Sequence, residues 1–344
     1  MIRADHDLAF MLQYENVAWY EQGAVRILDR RIYPLRTEFV TCHHHTEVAQ
    51  AIADMVTQSA GPYLAAGMGM ALAGWECRDM TQAEASTYLE KAAYTLSHAR
   101  PTTVVRMEAI TSACLEVGRK ALEEGRPVDE AIFAHTLEEI NNKYLRIDKT
   151  AAYLAQQFPA HGTVLTQCFG ETIVGLMLRQ ARAMNKDIKV MCAETRPYFQ
   201  GARLTASVAY DQGFDVTVIT DNMPAYAMSN DMIDLFTSAA DAISCDGHVV
   251  NKVGTLQLAI LCNYYGLPYF TTGAPDKGHP TIDSVKIEMR DPSLVLEAMG
   301  VRTAKEGVKA IYPAFDITPP HLISGIVTNK GIYSPYDLNR YFTD

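Results

Sequence analysis

Residues 162–193 read GTVLTQCFGETIVGLMLRQARAMNKDIKVMCA. TVLT at 163–166 is short and β-rich, ETIVGLMLRQARAM at 171–184 has helical character, and IKVM at 188–191 is β-rich again. A strand, a crossover helix and a second strand in that compass form the unit of a parallel sheet. The alternation continues through VTVIT (216–220), DAIS (241–244) and PYFTT (268–272), which predicts a Rossmann-like layout for the C-terminal part. Ligands of such sheets bind where strands end and helices begin. Three polar clusters fall at such junctions: Thr166–Cys168, Glu194–Arg203 and Asp241–Lys252.

Upstream of Gly162 the period changes. After a short polar and β-rich start, Thr81 with Glu84 makes a capping box, and Tyr88, Leu89, Ala92 and Leu96 follow at one-face helical spacing. Met107, Ile110, Cys114, Val117, Ala121 and Leu122 form a second stripe, broken by Gly125 and Pro127. A long helix is expected from about Asp129 to Gln157. The fold class is therefore α/β, with a mainly helical N-terminal domain (1–150) and a Rossmann-like catalytic domain (151–344), the boundary lying near 140–160.

Composition narrows the function. The chain has 344 residues, 48% apolar and 20% charged, which suits a folded globular protein. Its formal charge of -10 repels nucleic acid and anionic membranes, while a local group of Arg and Lys can still hold a small phosphorylated molecule. The apolar run Ser59–Gly74 contains Pro62 and is shorter than the roughly 20 residues of a membrane span, so it reads as a buried helix. Seven scattered cysteines without a CxxC pair, and charges inside the first twenty residues, point to a reduced, cytoplasmic protein with no secretion signal.

Cys168 follows a strand and precedes a helix, where a helix N-terminus would favour thiolate over thiol from an ordinary pKa of about 8.5. The other reading is a small buried hydrophobe. Asp241 lies among alanines and an isoleucine; burial there would raise its pKa towards the range useful for proton transfer, whereas spacing alone favours a solvated strand edge. In ETRPYFQGARLTA (194–206), Arg196 and Arg203 suit phosphate or sugar hydroxyls, and a Glu194–Arg196 ion pair is the commoner arrangement. Asn251 and Lys252 offer an amide and a cation, or form a solvated turn. His43, His44 and His45 with Glu47 lack a third spaced metal ligand and read as a surface segment.

Taken together, ETRPYFQGARLTA, ITDNMPAYAM (219–228), ADAISCDGHVVNKVGTLQLAIL (240–261) and PAFDITPPHLISGIVTNKG (313–331) resemble the methylthioribose-1-phosphate isomerase family. That family also includes ribose-1,5-bisphosphate isomerases and regulatory subunits of a translation initiation factor. ILDRRIYP, GMALA and ARPTT extend the likeness, less closely, into the N-terminal portion. The resemblance implies an aldose–ketose isomerase of a pentose 1-phosphate, usually dimeric. It places catalytic roles on Cys168 and Asp241, substrate contacts on Gln200, Asn251 and Lys252, and a phosphate contact on Arg100. No metal or organic cofactor is required, because side chains supply acid, base and phosphate clamp. 5-Methylthioribose 1-phosphate is the leading substrate. Ribose 1,5-bisphosphate and a 5-deoxypentose 1-phosphate come next, and a non-catalytic regulatory subunit is the rival. Two departures stand out. QSAGPYLAAG (58–67) replaces a turn in which methylthioribose enzymes carry an arginine, and GAPDKGHPTID (273–283) replaces a serine-rich turn. Lys277 is the candidate substitute cation, with a solvated loop as the alternative.

Overall fold

The computed structural model describes residues 3–100 and 104–343 and divides the chain into two units, Met1–Leu145 and Arg146–Asp344. In the first unit, helix α1 (Tyr14–Val17) leads into an antiparallel sheet of β1 (Ala18–Glu21), β2 (Ala24–Leu28) and β3 (Phe39–Cys42). Helices α2 (His45–Ala53), α3 (Gly61–Glu76), α4 (Gln82–Ser97), α5 (Val104–Glu123) and α6 (Val128–Gln157) follow, and α6 runs on into the second unit. Helix α3 is the apolar run, with Pro62 in its first turn, and Leu64 to Gly74 is buried throughout. No described helix is long and apolar enough to cross a membrane.

The capping box forms: the Thr81 hydroxyl accepts from the Glu84 backbone N–H, and the Glu84 carboxylate accepts from the Thr81 N–H at 3.0 Å. A side-chain cap of this kind contributes about 1 kcal/mol. Thr81→Ala is therefore expected to lower stability by about 1 kcal/mol, read as a shift in the urea unfolding midpoint. An unchanged midpoint would show that α4 is held by its packed face alone.

The second unit is built on seven strands in the order β15-β14-β10-β7-β4-β5-β6. Their ranges are β4 (His161–Gln167), β5 (Asp187–Ala193), β6 (Val216–Ile219), β7 (Leu235–Ala239), β10 (Tyr269–Thr272), β14 (Gly325–Val327) and β15 (Ile332–Tyr333). All neighbours pair parallel except β14 with β15. Helices α7 (Thr172–Ala183), α8 (Ala206–Asp211), α9 (Pro224–Ser229) and α10 (Thr255–Tyr265) make the crossovers. A side sheet has the order β13-β9-β8, from β8 (Ala242–Ile243), β9 (Val249–Lys252) and β13 (Phe315–Thr318). Strands β11 (Glu297–Ala298) and β12 (Val301–Arg302) form a small ribbon.

One strand differs from the sequence reading. DAIS does not enter the parallel sheet: Ala242 and Ile243 pair antiparallel with β9, and LFTSA (235–239) occupies the sheet position. LFTSA is a short run with a threonine and a serine in it. Its strand character comes from being buried between β4 and β10 rather than from a local signal. The consequence is functional. The chain winds outward from β4 in one direction through β5 and β6, and in the other through β7 and β10, so the β4/β7 pair is the topological switch point.

Candidate functional site

Cys168 stands one residue beyond β4 and Asp241 two residues beyond β7, at the carboxyl ends of these two paired strands. The central sheet therefore brings a thiol and a carboxylate, distant in the chain, to the ends of two paired strands. The two act on one another electrostatically: the Asp241 charge raises the Cys168 pKa, and Asp241 and the thiolate form of Cys168 each raise the pKa of Lys252.

The turn that presents Cys168 is held from both sides. Its N–H donates to Thr195 Oγ1 at 2.8 Å, and its carbonyl accepts from the Thr205 hydroxyl. Thr195 is fixed in turn, because the N–H groups of Thr195 and Arg196 donate to the Asp221 carboxylate at 2.8 and 2.7 Å. Cys168, Glu171, Thr195 and Phe199 all have φ between 56° and 64°, left-handed backbone that costs a non-glycine residue about 1 kcal/mol or more. Four such residues lie on the two turns that follow β4 and β5. Strain concentrated in this way is characteristic of sites where geometry is held for chemistry.

Cys168 does not have the depressed pKa expected from the helix N-terminus. Burial drives it above the ordinary thiol value. Lys252 pulls it back down, Asp241 adds to the rise, and the Phe169 N–H and Arg290 oppose it. Desolvation of the thiolate exceeds the favourable dipole, so the resting group is a thiol. Asp241 takes the solvated arrangement: it is exposed, at the start of the β8–β9 hairpin, its N–H donating to the Val250 carbonyl at 2.9 Å.

Asn251 and Lys252 are buried on β9, 5% and 4% exposed, and are not a solvated turn. Asn251 Nδ2 donates to Thr255 Oγ1 at 3.0 Å, and that hydroxyl lies 2.7 Å from Gln167 Oε1. Gln167 Nε2 donates to the Val253 carbonyl at 2.9 Å. This network ties the residue before Cys168 to the loop after Lys252. The Lys252 ammonium is 4.9 Å from the centre of the Phe315 ring, burial lowers its pKa, and Arg290 lowers it further while Cys168 and Asp241 raise it. Arg290 is held by Glu288 at 2.9 Å and lies 5.5 Å from the same Phe315 ring. Asp316, paired with Asn251 across β9 and β13, accepts from the N–H groups of Gly254 and Leu256 at 2.6 and 3.1 Å, so it caps α10.

Gln200 precedes a π-helical turn, Gly201–Thr205, whose last residue bonds the Cys168 carbonyl. A Cβ at Gly201 would stand 1.8 Å from the Ala193 carbonyl oxygen, so only glycine lets this turn approach β5 so closely. Gln200 is 7% exposed, and its Oε1 accepts no hydrogen bond. A buried acceptor left open costs about 1–3 kcal/mol and is a natural point for a ligand hydroxyl to meet.

The two arginines of ETRPYFQGARLTA do structural work instead of holding phosphate. Arg196 donates to the carbonyls of Leu294, Val295 and Glu297 at 3.4, 3.2 and 2.6 Å, and Arg203 to that of Tyr198 at 3.1 Å. Arg196 thus lashes the 292–298 segment to the turn after β5. Lys277 is exposed, its ammonium 4.8 Å from the centre of the Phe342 ring, in the solvated-loop arrangement. His44 and His45 share Glu76, at 2.9 and 2.8 Å, and no group of three metal-ligating side chains occurs among the described residues. Arg100 lies in the first unit just beyond α4 and is half-buried; residues 101–103 of the ARPTT run lie outside the described residues.

The polar clusters at 166–168 and 194–203 contained Gln167 and Thr195 but gave them no role, because each acts through hydrogen bonds to distant segments. Arg290 gave no local signal, since it comes from an irregular segment.

Comparison with known proteins follows this geometry. The pattern of the initiation factor 2 subunit family matches residues 64–335. The chain is 35% identical to a methylthioribose-1-phosphate isomerase of Chloroflexus aurantiacus, covering 93% of this chain and 95% of that one. It is 34% identical to one from Thermotoga petrophila, covering 94% and 96%. Among solved structures, the 5-methylthioribose 1-phosphate isomerase of Pyrococcus horikoshii OT3 superposes with a TM-score of 0.85 at 27% identity, over 97% of this chain and 98% of that one. The translation initiation factor eIF-2B subunit delta of A. fulgidus superposes with a TM-score of 0.82 at 28% identity, over 93% and 96%.

Proposed function

Because the chain belongs to the initiation factor 2 subunit family, whose members here include enzymes and a translation factor subunit, we propose that it is an aldose–ketose isomerase converting 5-methylthioribose 1-phosphate to 5-methylthioribulose 1-phosphate. The observation that carries this reading over a regulatory role is the meeting of Cys168 and Asp241 at the switch point, coupled to the buried cation of Lys252. A binding subunit has no need of a strained thiol coupled to a carboxylate at paired strand ends.

A phosphate on O1 closes the sugar as a ring acetal. Isomerisation needs a proton delivered to the ring oxygen, a hydrogen moved from C2 to C1, and the O2 proton removed. In this proposal Asp241 opens the ring and Cys168 serves the C1/C2 exchange. Asp241, exposed on the chain, is covered by the bound sugar, gives a proton to the ring oxygen and takes the O2 proton in return. Gln200 Oε1 takes a sugar hydroxyl, and Asn251 and Lys252 hold the polar edge of the substrate. The partner reading is a small phosphorylated sugar and a second copy of the chain in a homodimer. The exposed apolar side chains of Ile260, Tyr264 and Ile311 support the latter, and light scattering on the purified chain tests it.

The test of function is a panel of C1-phosphorylated pentoses differing at C5, assayed for ketose by NMR. Turnover of the methylthio compound is expected to exceed that of ribose 1,5-bisphosphate. Absence of turnover on every member would overturn the enzyme reading in favour of a regulatory sugar-phosphate binder.

Lys252→Met gives a further expectation, readable without substrate. Lys252 lowers the Cys168 pKa, so its loss raises it and shifts the pH profile of thiol alkylation by iodoacetamide to higher pH. An unshifted profile would separate Lys252 from the thiol.

A further inference from the structure

The first unit holds a cavity of about 840 Å³ that the isomerase reading does not use. It opens where the β1 strand end, the end of α3 and the start of α6 converge, and that volume is in the range of small-molecule sites. Gly74 permits the convergence: a Cβ there would stand 2.9 Å from the Asp129 backbone nitrogen. Three half-buried aromatic side chains, Trp19, Trp75 and Phe133, wall it, the rings of Trp19 and Phe133 meeting edge to face at 5.1 Å.

The charge of the lining points to the ligand. Glu21, Asp129 and Glu130 place carboxylates beside the aromatic wall. Asp129 accepts the Tyr20 hydroxyl at 2.7 Å, and among the described residues no cation pairs with Glu21 or Glu130. The two arginines of the lining are matched elsewhere: Arg126 by Glu124 at 2.6 Å, and Arg78 by Asp79 at 3.6 Å. Arg78 also shows what this surface attracts, for its guanidinium lies 4.3 Å from the centre of the Trp75 ring. Aromatic faces ringed by uncompensated carboxylates attract a cation with an apolar body and repel an anion.

We propose that this cavity binds an organic cation, an ammonium or guanidinium group carried on an apolar body. The chain's two tryptophans both line it, so tryptophan fluorescence, excited beyond the tyrosine absorption band, reports on this cavity. Benzyltrimethylammonium is titrated into the full chain, with benzyl alcohol as the neutral body and benzoate as the anion, and calorimetry is run in parallel. The expected result is saturable binding about tenfold tighter than that of benzyl alcohol, with no response to benzoate. Both exposed carboxylates are then neutralised together in Glu21→Gln/Glu130→Gln, which is expected to weaken cation binding about tenfold without changing the unfolding temperature. Equal affinity for the cation and the alcohol, undiminished binding in the double variant, or no saturable signal by either method would overturn the proposal.

Discussion

Cys168→Ser lowers kcat/KM for the pentose 1-phosphate by about 10³-fold, the loss expected when one general acid–base group is removed. Serine preserves both backbone bonds of the turn, to Thr195 and from Thr205, and differs little in volume, so the fold is expected to persist. What changes is acidity, because a serine hydroxyl is far too weak an acid to exchange a proton in this pH range. The wild-type rate is expected to rise with pH on its basic limb, because burial has pushed the thiol above its ordinary value and the reactive form gains population as pH climbs. The serine variant loses that limb. C2-deuterated substrate separates the routes: washout of label into solvent accompanies a proton-exchange mechanism, and its retention in the ketose marks a hydride shift with Cys168 acting electrostatically. Activity of Cys168→Ser within about threefold of wild type would remove Cys168 from the chemistry.

Asp241→Asn carries the second large effect, a fall in kcat of about 10³-fold with KM little changed. Asparagine is isosteric but has no acid proton for the ring oxygen, and the exposed position tolerates the change without repacking. A second readout does not depend on turnover. Asp241 raises the Cys168 pKa, so neutralising it lowers that pKa and makes alkylation of the thiol faster at a fixed pH near neutrality. This is opposite in sign to Lys252→Met, and the pair of variants brackets the thiol between its two charged neighbours. A kcat loss with no change in alkylation rate would place Asp241 in catalysis but apart from Cys168. Unchanged kcat would end its assignment altogether.

Much of the second unit was legible before any coordinates, because strands β4, β5, β6 and β10 are short β-rich runs separated by amphipathic helices. The long helix α6 and the capped helix α4 were legible for the same reason: periodicity and caps are local properties of the chain. LFTSA was not, since nothing in five residues distinguishes a central strand from a loop until neighbours on both sides bury it. For the arginines of 194–206 the sequence left a phosphate contact and a structural role both open. An arginine beside a glycine suits an anion in isolation, but Arg196 found three carbonyls in a segment about a hundred residues away.

By itself, the sequence determined the class of fold, the order of its elements, and the residue types able to move protons at strand ends. Tertiary structure alone decided that Cys168 and Asp241 follow adjacent strands, that the thiol is half-buried with a raised pKa while Asp241 is exposed, and that Lys252 is buried and coupled to both. The division has a physical cause. Hydrophobic period and capping act over a few residues, whereas desolvation and Coulomb coupling depend on which distant segments the sheet brings together.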